Sequence, residues 1–228
     1  MAVTEIGCCG IKPGLKIMDE STPEGKLYMG VFRTLNTLPG GPLRIYLGVD
    51  LDEPSKVYGF FDWISVDHHE KFAKTFEKDV QTDFEKVLTN GEYTKHITPT
   101  PSLQEALKSS VTDVFLVYYP SDISSEERST ATTGLQNILE ERFGQHADVN
   151  AVSYGWGVED DFPVCRKDGG KVGSVFSAFV GWHSLETNMN FREAGAHTAA
   201  QERIRGLDGV VALKTMRVSC AVLERNVE

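Results

Sequence analysis

The chain has 228 residues, 40% of them hydrophobic and 25% charged, with a formal net charge of −10. Those proportions are ordinary for a globular protein. The negative balance, with Lys and Arg scattered rather than striped, excludes a nucleic-acid partner. Nowhere do 18 apolar residues run together, and no basic segment leads into an apolar one at the start. Neither a membrane span nor a secretory signal is therefore expected, and the cytoplasm is the expected location. The four cysteines, Cys8, Cys9, Cys165 and Cys220, form no CxxC pair and are expected to be reduced and idle.

Taken in chain order, the pattern is strand, helix, two strands, helix, strand. A first strand opens at Val3-Thr4-Glu5-Ile6. A helix follows Ser21, Thr22 and Pro23, which are cap and first-turn residues, with Leu27, Val31, Leu35 and Leu38 at helical spacing. Next comes a hairpin whose strands run from Ile45 to Val49 and from Val57 to Trp63. Ser65 then caps a second helix whose apolar stripe is His69, Phe72, Phe76, Val80, Phe84 and Leu88. A last strand lies around Tyr93 to Thr98, and Pro, Ser and Thr cluster from Pro99 to Ser110.

The same order then repeats. Val111-Thr112-Asp113-Val114 matches the opening strand at a displacement of 108. Ala131, Leu135, Ile138, Leu139 and Phe143 form the next helical stripe, stopped by Gly144. Gly157-Val158-Glu159-x-Asp161-x-Pro163 matches Gly48-Val49-Asp50-x-Asp52-x-Pro54 at 109. The phrase Phe60-x-x-Trp63-x-Ser65-Val66-Asp67 returns as Phe179-x-x-Trp182-x-Ser184-Leu185-Glu186 at 119, and Phe72 returns as Phe191. The offset grows by ten because the second hairpin carries extra residues around Cys165-Arg166-Lys167-Asp168-Gly169-Gly170. A final strand is expected within Val210 to Val222, and Gly195 interrupts the helix before it.

These are two copies of a β-α-β-β-α-β unit, the ferredoxin-like pattern, with modules at 1–105 and 106–228. Strands such as Val175 to Trp182 are apolar at both parities, so both sheet faces are expected to be buried. Helices cover one face only. The fold class predicted is α+β, with the tandem modules pressing their sheets together into an intramolecular barrel.

The junction Gly181-Trp182-His183-Ser184-Leu185-Glu186, echoed in the first copy with Asp62 in place of the glycine, resembles the antibiotic biosynthesis monooxygenase domain of the dimeric α+β barrel superfamily. The resemblance implies that fusion replaces dimerisation, giving a monomeric pseudo-dimer or a homodimer. It implies a spread of activities: cofactor-free oxygenation, polyketide cyclisation, isomerisation, lyase chemistry, haem degradation, or stress proteins of undefined activity. It also implies a histidine in a loosened second helix, where His197 falls.

His197 is accordingly a candidate general base. Tyr154 and Trp156 project to one strand face, and with Trp182 they are expected to grip a flat ligand, Tyr154 donating a proton. His69 and its neighbour His68 are acid, base or haem-ligand candidates. Asp62 is a candidate base if pushed into an apolar pocket. Trp63 and His183, from the repeated junction, complete the expected binding wall. Each has a plainer reading: an exposed helix end for His197, core packing for the aromatics, backbone bonding for His68 and His69, a surface or edge position for Asp62. No metal-ligand spacing, phosphate loop, nucleophile elbow or dinucleotide fingerprint is present, so no cofactor is expected.

The function expected is acid–base chemistry on an aromatic or polyketide-like small molecule, of cyclase, isomerase, lyase or monooxygenase type. The alternatives are a non-catalytic ligand-binding or stress-response barrel, and haem binding or degradation through His69 or His197. A single pocket is expected in the second module, with residues 164–174 as lid or plain hairpin.

Overall fold

A computed structural model describes residues 1–163 and 172–225, with side chains described at all of these except 76–81 and 172. The expectations placed on the side chains of Phe76 and Val80, and on the insertion tip with Cys165, lie outside the described residues.

Thr22 starts α1 (Pro23–Thr37) by accepting the Gly25 amide at 3.1 Å, and Pro23 occupies the first turn, where no amide is needed. Ser65 does the same for α2 (Val66–Val87) through the His68 amide at 3.1 Å. With β1 (Val3–Ile11), β2 (Arg44–Val49), β3 (Lys56–Trp63) and β4 (Leu88–Ile97) they complete the first β-α-β-β-α-β order. After α3 (Gln104–Leu107) the order repeats with β5 (Val111–Tyr119), α4 (Ser125–Leu139), β6 (Val149–Trp156), the short β7 (Phe162–Pro163), β8 (Val172–Trp182), α5 (Leu185–Glu193), α6 (Ala196–Arg205) and β9 (Ala212–Val218). The final strand is β10 (Ala221–Glu224).

The two sheets share one topology. The second runs β6-β8-β5-β9, and the first runs β2-β3-β1-β4 with β10 added beside β2. The single strand expected within Val210 to Val222 therefore breaks at Ser219-Cys220, and its second half joins the first sheet, Ala221 facing Leu47 and Glu224 facing Arg44. The chain divides into two compact units: Met1–His96 together with the segment from Cys220 on, and Ile97–Ser219.

Parity decides what each strand residue meets. In the first unit Ile11, Ile45, Leu47 and Val57 pack against Tyr28, Met29 and Phe32 of α1. The intervening residues, among them Ile6, Tyr46, Tyr58 and Phe60, are buried as well, so both faces of this sheet are covered. All nine residues of β5 are buried. The buried stripe of α1 is Tyr28, Met29, Phe32 and Asn36, rotated from the expected one; Leu27 and Leu35 lie half-buried at its flank. The α4 stripe is as expected: Ala131, Leu135, Ile138 and Leu139 are buried. A π-helical turn, Glu140–Gly144, then widens the helix end and sends Phe143 into the core. Gly195, at φ +78°, takes a left-handed conformation that side chains rarely adopt and separates α5 from α6.

Candidate functional site

In the first unit, Glu5 on β1 and Trp63 on β3 point to the helix-covered face, and the Trp63 indole donates to Glu5 Oε2 at 2.7 Å. The Ser65 cap sets the start of α2, so that one turn later His69 stacks on Trp63, ring centres 4.7 Å apart. His69 Nε2 lies 3.3 Å from Glu5 Oε2, and its Nδ1 lies 2.8 Å from Nε2 of His96 on β4. Phe72, 5.4 Å from Trp63, extends the aromatic surface.

Glu5, Trp63, His69 and Phe72 line a cavity of about 780 Å³ between the sheet and helices α1 and α2, with His96 behind His69. That is the size of small-molecule sites, which run to roughly 300–1,000 Å³. Phe32, Phe61, Trp63, Phe72 and Phe84 make its walls aromatic, and Thr89, Asn90 and Thr94 bring polar groups to the β4 side. Cys9 also reaches it, but burial, with Glu92 adding to it, pushes that thiol upward and away from a nucleophilic thiolate.

The contacts allow two proton arrangements. A neutral His69 donates from Nε2 to Glu5 and accepts at Nδ1 from His96. A protonated His69 donates both ways, to the Glu5 carboxylate and to His96. One proton thus separates two fully hydrogen-bonded states, which suits a group that takes up and returns protons.

The second unit builds the same pair and closes it. Asp113, in the place of Glu5, accepts from the Trp182 indole at 2.9 Å. It also accepts from Asn188 at 2.6 Å and from Arg192 at 2.8 Å, and Arg217 reaches Asn188 at 3.3 Å. Burial pushes the Asp113 carboxyl upward, against the pull of Arg192 and the Asn188 and Trp182 donors. Phe143, His146 and Phe191 crowd around Trp182. His197 is 3% exposed, not an exposed helix end; its Nε2 lies 3.4 Å from Arg192 Nη1 and 3.8 Å from Asp113 Oδ1.

The remaining sequence candidates are dispersed. Asp62 pairs with Thr4 and Arg44 on the sheet face opposite Glu5, where burial raises its carboxyl although Thr4 and Arg44 pull it down. It does not line the cavity that holds His69. Trp156 pairs with Phe176 while Trp182 lies six residues further along β8, about 20 Å away, so the expected three-ring wall does not form. The Trp156 indole donates to Thr132 at 2.9 Å beneath the Arg128 guanidinium, and the Tyr154 hydroxyl accepts from Gln136 at 3.2 Å. His183 is exposed at the strand-to-helix corner. Sequence reasoning missed Glu5, His96, Asp113, Asn188 and Arg192. The repeat held the signal for the two carboxylates: both stand third in their opening strands.

Neither His69 nor His197 fits an axial haem ligand. Both ring nitrogens of His69 face other side chains, and His197 is buried against Arg192 and Phe115. Among the described residues no group of His, Cys, Asp and Glu side chains is arranged to hold a metal, and no helix is long and apolar enough to cross a membrane.

No protein-family model matches the chain, and no curated protein matches it. Solved structures do. An anthrone oxidase-like protein aligns over 99% of this chain and 94% of its own, with a TM-score of 0.67 and 13% identity. A provisionally assigned monooxygenase of Fusobacterium nucleatum subsp. nucleatum aligns over 98% and 94%, with a TM-score of 0.60 and 12% identity. Chlorite dismutase from Candidatus Nitrospira defluvii aligns over 96% and 91%, with a TM-score of 0.53 and 8% identity. At such identities the likeness concerns the backbone, not the chemistry. Together with the doubled strand order, it establishes that the chain has the dimeric α+β barrel fold, built from two β-α-β-β-α-β modules in one polypeptide.

Proposed function

We propose that the first unit's cavity is the working site of an enzyme that needs no bound cofactor and moves a proton on an aromatic or polyketide-like molecule. The observation that carries this is the Glu5–His69–His96 chain, whose Glu5 and His69 line an aromatic cavity of about 780 Å³. A flat ring lies against Trp63 and Phe72. An acidic C–H beside a carbonyl gives its proton to the Glu5 carboxylate, and the C–H electron pair passes into an enolate. The abstracted proton is then held on the hydrogen-bonded Glu5–His69–His96 chain while the negative charge stays on the enolate. Returned to another carbon, the proton completes an isomerisation or cyclisation. With dioxygen as oxidant, the enolate is oxygenated instead.

Anthrone is a fitting probe, since it carries such a proton and one structural neighbour is described as anthrone oxidase-like. Its oxidation balances as anthrone plus dioxygen giving anthraquinone plus water. Oxygen uptake with anthrone is expected from the native protein, reduced at least about 100-fold in Glu5→Gln and His69→Gln, within the range for loss of a general base. Turnover unchanged in both variants would remove these residues from the reaction. The second unit's cluster, His197 included, is proposed to be structural, because its charges are already paired in a filled core.

A further inference from the structure

We infer that the first unit's cavity selects against anions: its ligand is an uncharged or cationic polycyclic molecule, not a carboxylate, a phosphate ester or a carrier-bound thioester with a phosphate arm. This rests on the cavity being the ligand site. The charged residues of its described lining are Glu5 and Glu85, with His69 the remaining titratable base. No Lys or Arg belongs to that described lining. Lys12 donates to the Glu85 carbonyl oxygen and is not among the described lining. Any positive charge on His69 is matched by Glu5 at 3.3 Å.

An anion entering this space loses its water against Phe32, Phe61 and Phe84 and finds no Lys or Arg among the described lining in return. It also approaches the Glu5 carboxylate. Like charges about 5 Å apart, at an effective dielectric near 20, disfavour binding by roughly 100-fold. A neutral ring suffers neither penalty. A cation gains from the aromatic faces and from both carboxylates. An acid substrate would therefore have to be esterified, amidated or decarboxylated before it reached this protein.

The test uses three anthracenes of one shape, 9-anthracenemethanol, 9-(aminomethyl)anthracene and 9-anthracenecarboxylate, titrated calorimetrically into the intact protein near neutral pH. The alcohol and the amine are expected to bind, and the carboxylate to bind at least about 30-fold more weakly. Thr94→Lys, which adds an ammonium at an exposed lining position, is expected to raise the carboxylate's affinity about tenfold relative to the alcohol's, and an unchanged ratio of the two affinities overturns the charge selectivity. Equal affinity for all three overturns the charge selectivity and leaves the site standing. Failure of all three to bind overturns the site and the selectivity with it.

Discussion

Trp63 holds Glu5 through a 2.7 Å hydrogen bond, and the chain makes that bond a second time between Trp182 and Asp113 at 2.9 Å. In both places the carboxylate comes from the first strand of a module and the indole from the strand antiparallel to it. The surroundings differ. Glu5 meets a histidine and a cavity; Asp113 meets Arg192, Asn188 and a packed cluster of rings. One inherited pair has been left accessible and the other locked.

The two carboxylates should therefore differ in what their removal costs. Glu5→Ala leaves the Trp63 indole without an acceptor and is expected to cost about 1–3 kcal/mol. Asp113→Ala removes the carboxylate that Arg192 and two neutral donors share in the core, and is expected to cost about 3–5 kcal/mol. Urea unfolding of both variants checks the order; a smaller loss for Asp113→Ala would contradict the locked reading.

Asp62 makes a pH signature. Burial raises its folded-state carboxyl above the ordinary value. A group raised on folding contributes stability that is fully present below the unfolded value, about 3.9 for Asp, and lost as pH rises through the folded one. Relative to Asp62→Asn, the native protein should therefore lose unfolding free energy as pH increases from about 3 towards neutrality. Paired urea titrations across that range check it, and a gain in the native protein's stability relative to the variant with rising pH would refute it.

Ala73 lies on α2 in the cavity wall. Ala73→Phe places a ring in that space and is expected to abolish binding of 9-anthracenemethanol while moving the melting temperature by only a few degrees, as for a surface-side change of about 1 kcal/mol. Retained binding would put the ligand elsewhere.

His96 is a positioning residue, since it touches His69 and is absent from the described lining. His96→Ala should lower kcat for anthrone by about 10–100-fold while leaving the affinity for 9-anthracenemethanol unchanged, the loss of a shared proton rather than of a binding contact. An affinity that falls in step with kcat would indicate mere collapse of the wall.

How much of this was legible in the sequence follows from what each signal depends on. The repeat, the caps at Thr22, Ser65 and Ser184, and the α4 stripe depend on residues near in the chain, and they read directly. The α1 face was misplaced because Tyr28 and Phe32 outrank the leucines only once Phe84 packs across them. The Trp156–Trp182 wall failed because one strand face runs its whole length, and sharing a face does not bring residues together. His96 and Asn188 could not be found from spacing, since each acquires its role through a partner 27 and 75 residues away.

The edge strand β10 carries a consequence for biogenesis. Residues 221–224 flank β2, so the sheet that bears Glu5 and Trp63 is unfinished until the strands of the second module have been synthesised. Until then β2 presents a bare row of amides and carbonyls, an invitation to foreign strands. The first module is thus completed only after the second, and removal of residues 221–224 should harm the first module more than the one that contains their neighbours in sequence.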